Sequence, residues 1–186
     1  MTIASSQKTR RMCGAIRVAS VLFVIGVVGL YIVAWQSPGT LLGPHPFALM
    51  TRFAGLPMDA MASLSDWQRF LAGAVGIPYL VVLVWAFYRL NGMLRGFERS
   101  EFFESATVGH LRAFAGYLLL AKLLAAAGMH LRAALLVHWL GRENVHMMLN
   151  LSGDDIAVYL MCALFFLIAR MMEEGRRLAE ENREFV

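Results

Sequence analysis

The stretch FLAGAVGIPYLVVLVWAFYRL, residues 70–90, carries one charged side chain, that of Arg89, among its 21 residues. An α-helix needs about 20 predominantly apolar residues to cross a hydrocarbon core roughly 30 Å thick. The stretch therefore predicts a membrane-spanning helix. Pro78 lies inside it, and because proline removes a hydrogen bond from a helix interior, we expect a kink near this residue.

Three further apolar runs, at about residues 18–35, 113–133 and 156–171, have the same character. Hydrophobic residues make up 59% of the 186-residue chain, against roughly 45–50% in a soluble domain. Four spanning helices use most of the chain and leave no room for a separate soluble domain. The prediction is an all-α fold, an integral membrane bundle of four transmembrane helices that forms one domain over residues 1–186.

Basic residues are concentrated on alternate sides of the predicted spans. Three segments hold 12 of the 17 lysines and arginines: Lys8, Arg10, Arg11 and Arg17; Arg89, Arg95, Arg99 and Arg112; Arg170, Arg176, Arg177 and Arg183. Because short connections rich in Lys and Arg stay in the cytoplasm, we expect both termini and the middle connection to be cytoplasmic. The basic residues that give the net charge of +4 thus lie mostly at helix ends. No direct binding of nucleic acid is expected.

The first apolar run has a secretory signal peptide as its alternative interpretation. Its 18 residues exceed a usual signal-peptide core of about 7–15, and no small-x-small cleavage site follows Trp35, so a retained helix is favoured. Tyr31 and Trp35 at its end are typical of an interfacial aromatic belt.

The connections carry weaker signals. Residues 36–69 mix turn residues with interleaved apolar and charged ones, which predicts one or two short amphipathic helices on the outer surface. Ser63 or Ser65 is the expected cap of the helix that enters the second span. Asn91-Gly92 predicts the end of that helix.

The third and fourth apolar runs lead into segments of different kinds. The third run is interrupted by Lys122, His130 and Arg132, and after about residue 133 we expect an interfacial or outer segment. Beyond residue 171 the fourth run meets only Gly175 as a helix breaker, and Glu173–Arg177 is a favourable i,i+4 pair. The fourth helix is therefore predicted to extend into the cytoplasm.

Lys122 is the most informative polar residue inside a predicted span. A lysine deep in a membrane costs several kcal/mol unless it is solvated or paired. We therefore consider a polar intramembrane or ligand site formed by Lys122, Tyr117, His130 and Arg132. A structural lysine in a small hydrated pocket is the alternative interpretation.

Signatures of catalysis or metal binding are missing from the sequence. It contains no H-E-x-x-H, G-x-S-x-G, P-loop or G-x-G-x-x-G pattern. The five histidines lack metal-ligand spacing, so we expect no catalytic residues, no metal site and no resident cofactor. A haem with two axial histidines from different segments, such as His45 and His130, stays as an alternative.

Aromatic side chains in the middle connection are unusually apolar for a free linker. Phe97, Phe102 and Phe103 lie there, and Leu178 and Phe185 lie on one stripe of the fourth helix. Since both groups are expected on the cytoplasmic side, we predict that they pack together and form a docking surface for a partner protein.

Two segments resemble a known family. They are GFERSEFFESATVGHLRAFAGYLLL (residues 96–120) and the tail EEGRRLAEENREFV (residues 173–186). Both are similar to the bacterial membrane proteins grouped as domain of unknown function 2975, which have a similar length and a four-span layout. Ser100 stands where that family has glycine, and His110 stands where a basic residue is usual.

The resemblance implies a location and a partner. It implies the bacterial plasma membrane, and a cytoplasmic helix-turn-helix transcription regulator, since such a regulator is often encoded beside family members. The prediction is a non-enzymatic sensor or anchor for that regulator. Three alternatives stay open: a small-molecule or lipid-binding protein that uses Lys122, a haem-binding redox protein, and, for the assembly, a homo-oligomer.

Overall fold

A computed structural model describes residues 3–36, 65–99, 104–140 and 153–184. The regular elements in these ranges are helices. They are α1 (Ile3–Gln36), α2 (Asp66–Ala74), α3 (Ile77–Glu98), α4 (Ser105–Leu140) and α5 (Gly153–Glu184). The residues of the predicted outer helices between 37 and 64 lie outside the described part of the chain.

The described helices provide four segments that are long and apolar enough to cross a membrane. They are Arg10–Val33, Asp66–Glu98, Ser105–Trp139 and Gly153–Leu178. The prediction of an all-α, multi-pass membrane protein is therefore confirmed at the level of helix length and composition. The side of the membrane on which each helix end lies stays a prediction.

The helices are longer than the apolar runs from which they were predicted. α1 begins at Ile3, and α5 runs on to Glu184. α3 passes through Asn91-Gly92 and ends at Glu98, so the predicted helix end at that pair was wrong. α4 stays a single helix of 36 residues to Leu140, about 54 Å long.

The second predicted span is interrupted where the kink was expected. Ser65 caps α2, because its side chain accepts from the amide of Gln68 while the Gln68 side chain accepts from the Ser65 amide. α2 ends at Ala74, and Val75 and Gly76 form a turn before α3 begins. Pro78 is thus in the first turn of α3, where its missing N–H has no intrahelical partner to lose.

The chain divides into two compact units. Unit 1 comprises residues Met1–Val24, Val82–Leu120 and Leu151–Val186, and unit 2 comprises Ile25–Val81 and Ala121–Asn150.

Unit 1 is held together by apolar side chains from four helices. A series of aromatic rings connects them, with centroids 5.3 Å apart for Phe23–Phe87, 6.3 Å for Phe87–Phe114 and 5.6 Å for Phe114–Phe165. A buried cluster, the unit 1 core, draws residues from the same four helices. Its members are Cys13, Met93, Leu94, Val108, Leu111 and Ala169.

Two glycines let α3 and α4 approach closely in unit 1. Gly92 and Gly96 are four residues apart and therefore lie on one face of α3. The imidazole of His110 covers Gly92, and Thr107 covers Gly96. Small residues at this spacing are typical of close helix contacts in membranes.

Candidate functional site

In unit 2, Arg132 is buried and hydrogen bonded at the break between α2 and α3. Its side chain is 6% exposed, and Tyr31 is 7% exposed. Arg132 Nε donates to the carbonyl oxygen of Ala72 at 3.1 Å, and Arg132 Nη2 donates to Tyr31 Oη at 3.2 Å. Tyr31 Oη in turn donates to the carbonyl oxygen of Gly73 at 2.5 Å. We call this set the Arg132 network.

The helix break supplies the acceptors of the Arg132 network. In an uninterrupted helix the Ala72 carbonyl would accept from the amide of Gly76. That amide donates instead to Gly73 O at 3.0 Å. The Ala72 carbonyl is thereby left for the guanidinium, so the break creates a binding position for a charged donor inside an apolar segment.

Gly76 is required by the same arrangement. A Cβ atom at this position would overlap Tyr31 Oη and Arg132 Nη2. Tyr31 Oη donates to Gly73 O and accepts from Arg132 Nη2, so neither atom can move away without losing a bond. The network therefore requires a residue without a side chain at position 76.

The Arg132 network is suited to bracing rather than to proton transfer. An arginine guanidinium stays protonated in proteins and presents donors in a fixed fork. A fixed positive charge of this kind can fasten one helix to another or orient an anion. It does not act as a general acid or base.

The other residues of the predicted polar site lie elsewhere on α4. Lys122 and His130 belong to unit 2 with Arg132, and each is partly buried. On a helix, His130 and Arg132 point about 200° apart, and Lys122 is ten residues, or about 15 Å, from Arg132. α4 alone therefore does not bring these three side chains to one point. Tyr117 is partly buried in unit 1.

Tyr31 and Gly76 were missed by the sequence analysis as site residues. Tyr31 was interpreted as part of an interfacial belt, whereas its hydroxyl is bound in unit 2. A glycine two residues before a proline inside a span is a signal that could have indicated the break. No local signal pairs Tyr31 with Arg132, because 101 residues separate them.

The residues predicted for partner docking are partly described. Phe97 packs against the unit 1 core, and Met172 of α5 packs against the same core. Leu178 is 50% exposed. Phe102, Phe103 and Phe185 lie outside the described residues, so their predicted packing stays a prediction.

The last part of α5 is a charged helical arm. Among the side chains that the structure describes, Arg176 is the last of α5 to line a groove with α4, and the helix continues for eight residues to Glu184, about 12 Å. Arg177 pairs with Glu174 at 2.8 Å and with Glu181 at 3.4 Å. We call residues 177–184 the arm.

Polar atoms without hydrogen-bond partners are buried near the α3–α4 contact. They are Arg89 Nε, Asn91 Oδ1 and His110 Nδ1. Asn91 uses its other side-chain atom, Nδ2, to donate to Phe87 O at 3.0 Å. Buried polar atoms of this kind are commonly satisfied by ordered water.

Metal-ligating side chains are not clustered in the described ranges. No group of three or more His, Cys, Asp or Glu side chains there is arranged to hold a metal ion. His45, one of the two histidines considered for haem, lies outside the described residues, so the haem alternative is untested.

The comparisons with known proteins identify one family. The family model described as "Protein of unknown function (DUF2975)" matches residues 58–186, more than half of the chain. The match confirms the resemblance carried by residues 96–120 and 173–186, which both lie inside it. No curated protein and no solved structure matches the chain.

Proposed function

The chain belongs to the DUF2975 family, and from this premise we propose that it is a non-enzymatic sensor or anchor of the bacterial plasma membrane. Both termini and the middle connection face the cytoplasm in this proposal. There the protein holds or releases a helix-turn-helix transcription regulator. The arginine distribution supports the orientation, and the encoding of such regulators beside family members supports the partner.

The observation that carries the proposal is the exposed arm of α5. The described surface of the arm carries the ion pairs of Arg177. It also carries Leu178, a large apolar residue that is 50% exposed. The pairs Arg176–Glu180 and Arg177–Glu181 lie at i,i+4 spacing and each stabilises a helix by about 0.2–0.5 kcal/mol. The arm can therefore stay helical while the exposed Leu178 side chain contacts a partner.

An exposed helix with a charged surface and an apolar anchor is recognised in a common way. Such a helix lies in a groove of its partner, where the apolar side chain supplies affinity and the charges supply specificity. Fully burying one leucine contributes about 1.5–3 kcal/mol. That corresponds to roughly a tenfold to hundredfold change in affinity, which a binding experiment can resolve.

The test uses the helix-turn-helix regulator that this proposal expects beside the gene, expressed and purified by itself. A photo-crosslinking amino acid is placed at Leu178 in the full chain, and at Trp67 as a control. Both side chains are exposed, but the proposed topology puts Trp67 on the outer side. We expect a crosslink to the regulator from position 178 and none from position 67.

Four variants locate the docking role more finely. Leu178→Ser should weaken binding of the regulator about tenfold or more, whereas Leu178→Met keeps the apolar surface and should bind normally. Removal of residues 179–186, or Phe102→Ser with Phe103→Ser, should abolish binding of the regulator. Membrane insertion should stay intact, because these changes leave the spans unaltered. If the shortened chain still binds the regulator with full affinity, the arm is not the docking site.

A further inference from the structure

The groove in unit 1 is lined by charged side chains from two helices. It has a volume of about 230 Å³ and lies between the first turns of α4 and the latter part of α5. Its lining residues are Ser105, Val108, Gly109 and Arg112 of α4, and Glu173 and Arg176 of α5. We propose that this groove binds the phosphate group of an anionic membrane lipid, with Arg112 and Arg176 as the cationic contacts.

The charge of the groove favours an anion. The lining of the groove holds two arginines and one carboxylate, a formal charge of +1, and Arg176 also pairs at 3.0 Å with Glu180, a residue outside the lining. The N-terminal end of α4, which begins at Ser105, adds the partial positive charge of a helix start. Arginine is also the side chain whose planar fork matches the oxygens of a phosphate.

The ion pairs already present in the groove are weak enough to be exchanged. Arg112 Nη2 lies 3.1 Å from Glu173 Oε2, and the two side chains are 57% and 49% exposed. Exposed pairs of this kind contribute about 0–1 kcal/mol. Arg176 Nη1 likewise lies 3.0 Å from Glu180 Oε1, and these side chains are 36% and 60% exposed. A phosphate that contacts both arginines can therefore replace one carboxylate contact of each.

The size of the groove limits what it can hold. Pockets for drug-sized ligands usually measure about 300–1,000 Å³, and this groove is smaller at about 230 Å³. It suits a compact group such as a phosphate rather than a whole nucleotide or cofactor.

The surface next to the groove indicates a lipid rather than free phosphate. Arg112 directly precedes the third apolar run, and Glu173 follows the fourth, so the groove lies where headgroups meet hydrocarbon. One turn along α4 from Arg112 is Gly116, which lies beside the ring of Phe166 of α5. Phe166 is 36% exposed and Leu120, one turn further, is 42% exposed. This apolar seam can receive the acyl chains of a lipid whose phosphate occupies the groove.

The test measures lipid binding to the purified full chain in detergent. A phosphatidylglycerol with a fluorescent acyl chain is titrated and followed by anisotropy, and a phosphatidylcholine with the same chains is the reference. We expect tighter binding of phosphatidylglycerol, and a loss of about tenfold or more in Arg112→Gln with Arg176→Gln.

A glycine variant fills the groove without disturbing the fold. A Cβ atom at Gly109 meets nothing within 4 Å, and neither does one at Gly175 outside the groove. Gly109→Leu should weaken phosphatidylglycerol binding as strongly as the arginine changes, whereas Gly175→Leu should bind normally. Thermal unfolding checks that each variant is folded.

Each other outcome contradicts the proposal. Equal affinity for the two lipids, or unchanged binding in Gly109→Leu, would show that the groove is not the headgroup site. Full competition by inorganic phosphate at the affinity of the lipid would assign the groove to free phosphate. The result does not depend on the regulator, because no partner protein is present.

Discussion

At the scale of single residues, the Arg132 network explains how an arginine is accommodated in an apolar helix. An arginine in a spanning helix costs at most about 2.5–3.5 kcal/mol on insertion scales, the value for the helix centre, and less toward the helix ends. Hydrogen bonds to charged groups contribute about 1.5–3 kcal/mol each, and Arg132 makes one to Ala72 O and one to Tyr31 Oη. The two bonds together therefore match or exceed the insertion cost.

Gly76→Ala should lower the free energy of unfolding by about 1.5–3 kcal/mol, because the new methyl group displaces Tyr31 or Arg132 and breaks a charge-assisted bond. The measurement is thermal or denaturant unfolding in detergent. Gly26→Ala in α1 is the control, since a Cβ there meets nothing within 4 Å. The effect of Gly76→Ala should shrink in a Tyr31→Phe background, where one clashing atom is gone. Equal losses in both backgrounds would contradict the described overlap.

At the scale of elements, the α3–α4 contact depends on two side chains fitting over two glycines. Thr107 is buried over Gly96, and a Cβ at Gly92 would lie 2.9 Å from His110 Nε2. Glycine lowers helix stability by roughly 0.8–1.0 kcal/mol relative to alanine. The close approach must offset that cost, since α3 continues as a helix through both positions.

Gly96→Ala tests whether packing or helix propensity dominates in α3. The added methyl group overlaps Thr107 Oγ1, and overpacking usually costs about 1–3 kcal/mol, so the variant should be less stable. Gly14→Ala in α1, where a Cβ meets nothing, should be neutral or slightly stabilising. Adding Thr107→Ala should restore part of the loss. A Gly96→Ala protein that melts higher than the parent would refute the contact.

The spanning helices were predictable from sequence because their cause is local, whereas most helix ends were not. Four spans follow from composition, and Ser65 was one of two serines expected to cap the helix before the second span. Asn91-Gly92 was interpreted as a helix end because glycine usually breaks a helix. Its role here depends on His110, which lies on another helix. The carbonyl that accepts from Arg132 could not be predicted from local sequence either, because Ala72 is 60 residues away.

At the scale of the whole molecule, the distribution of basic residues predicts how the chain crosses the membrane. Three segments contain 12 arginines and lysines, whereas the two other connections contain three arginines. Each basic residue near a membrane surface contributes about 1 kcal/mol toward an anionic leaflet. The asymmetry is thus large enough to set the orientation of the whole chain.

Reporter fusions test the orientation directly. Fusions after residues 10, 96 and 186 should report a cytoplasmic location, and fusions near residues 55 and 148 should report the outer side. Alkaline phosphatase and a fluorescent protein, which are active on opposite sides, give matched readouts at each position. A cytoplasmic report near residue 55 would overturn the argument from arginine and, with it, the side assigned to the arm.

The break between α2 and α3 also has a consequence for biosynthesis. Tyr31 leaves the ribosome first, Ala72 and Gly73 follow, and Arg132 emerges 60 residues after Ala72. Until then the Ala72 carbonyl has no guanidinium to accept from, although its segment has already entered the translocon. We expect a nascent chain arrested before residue 132 to expose an unfinished break to membrane chaperones and proteases. We therefore expect the second span to gain its full set of hydrogen bonds only after Arg132 has been synthesised.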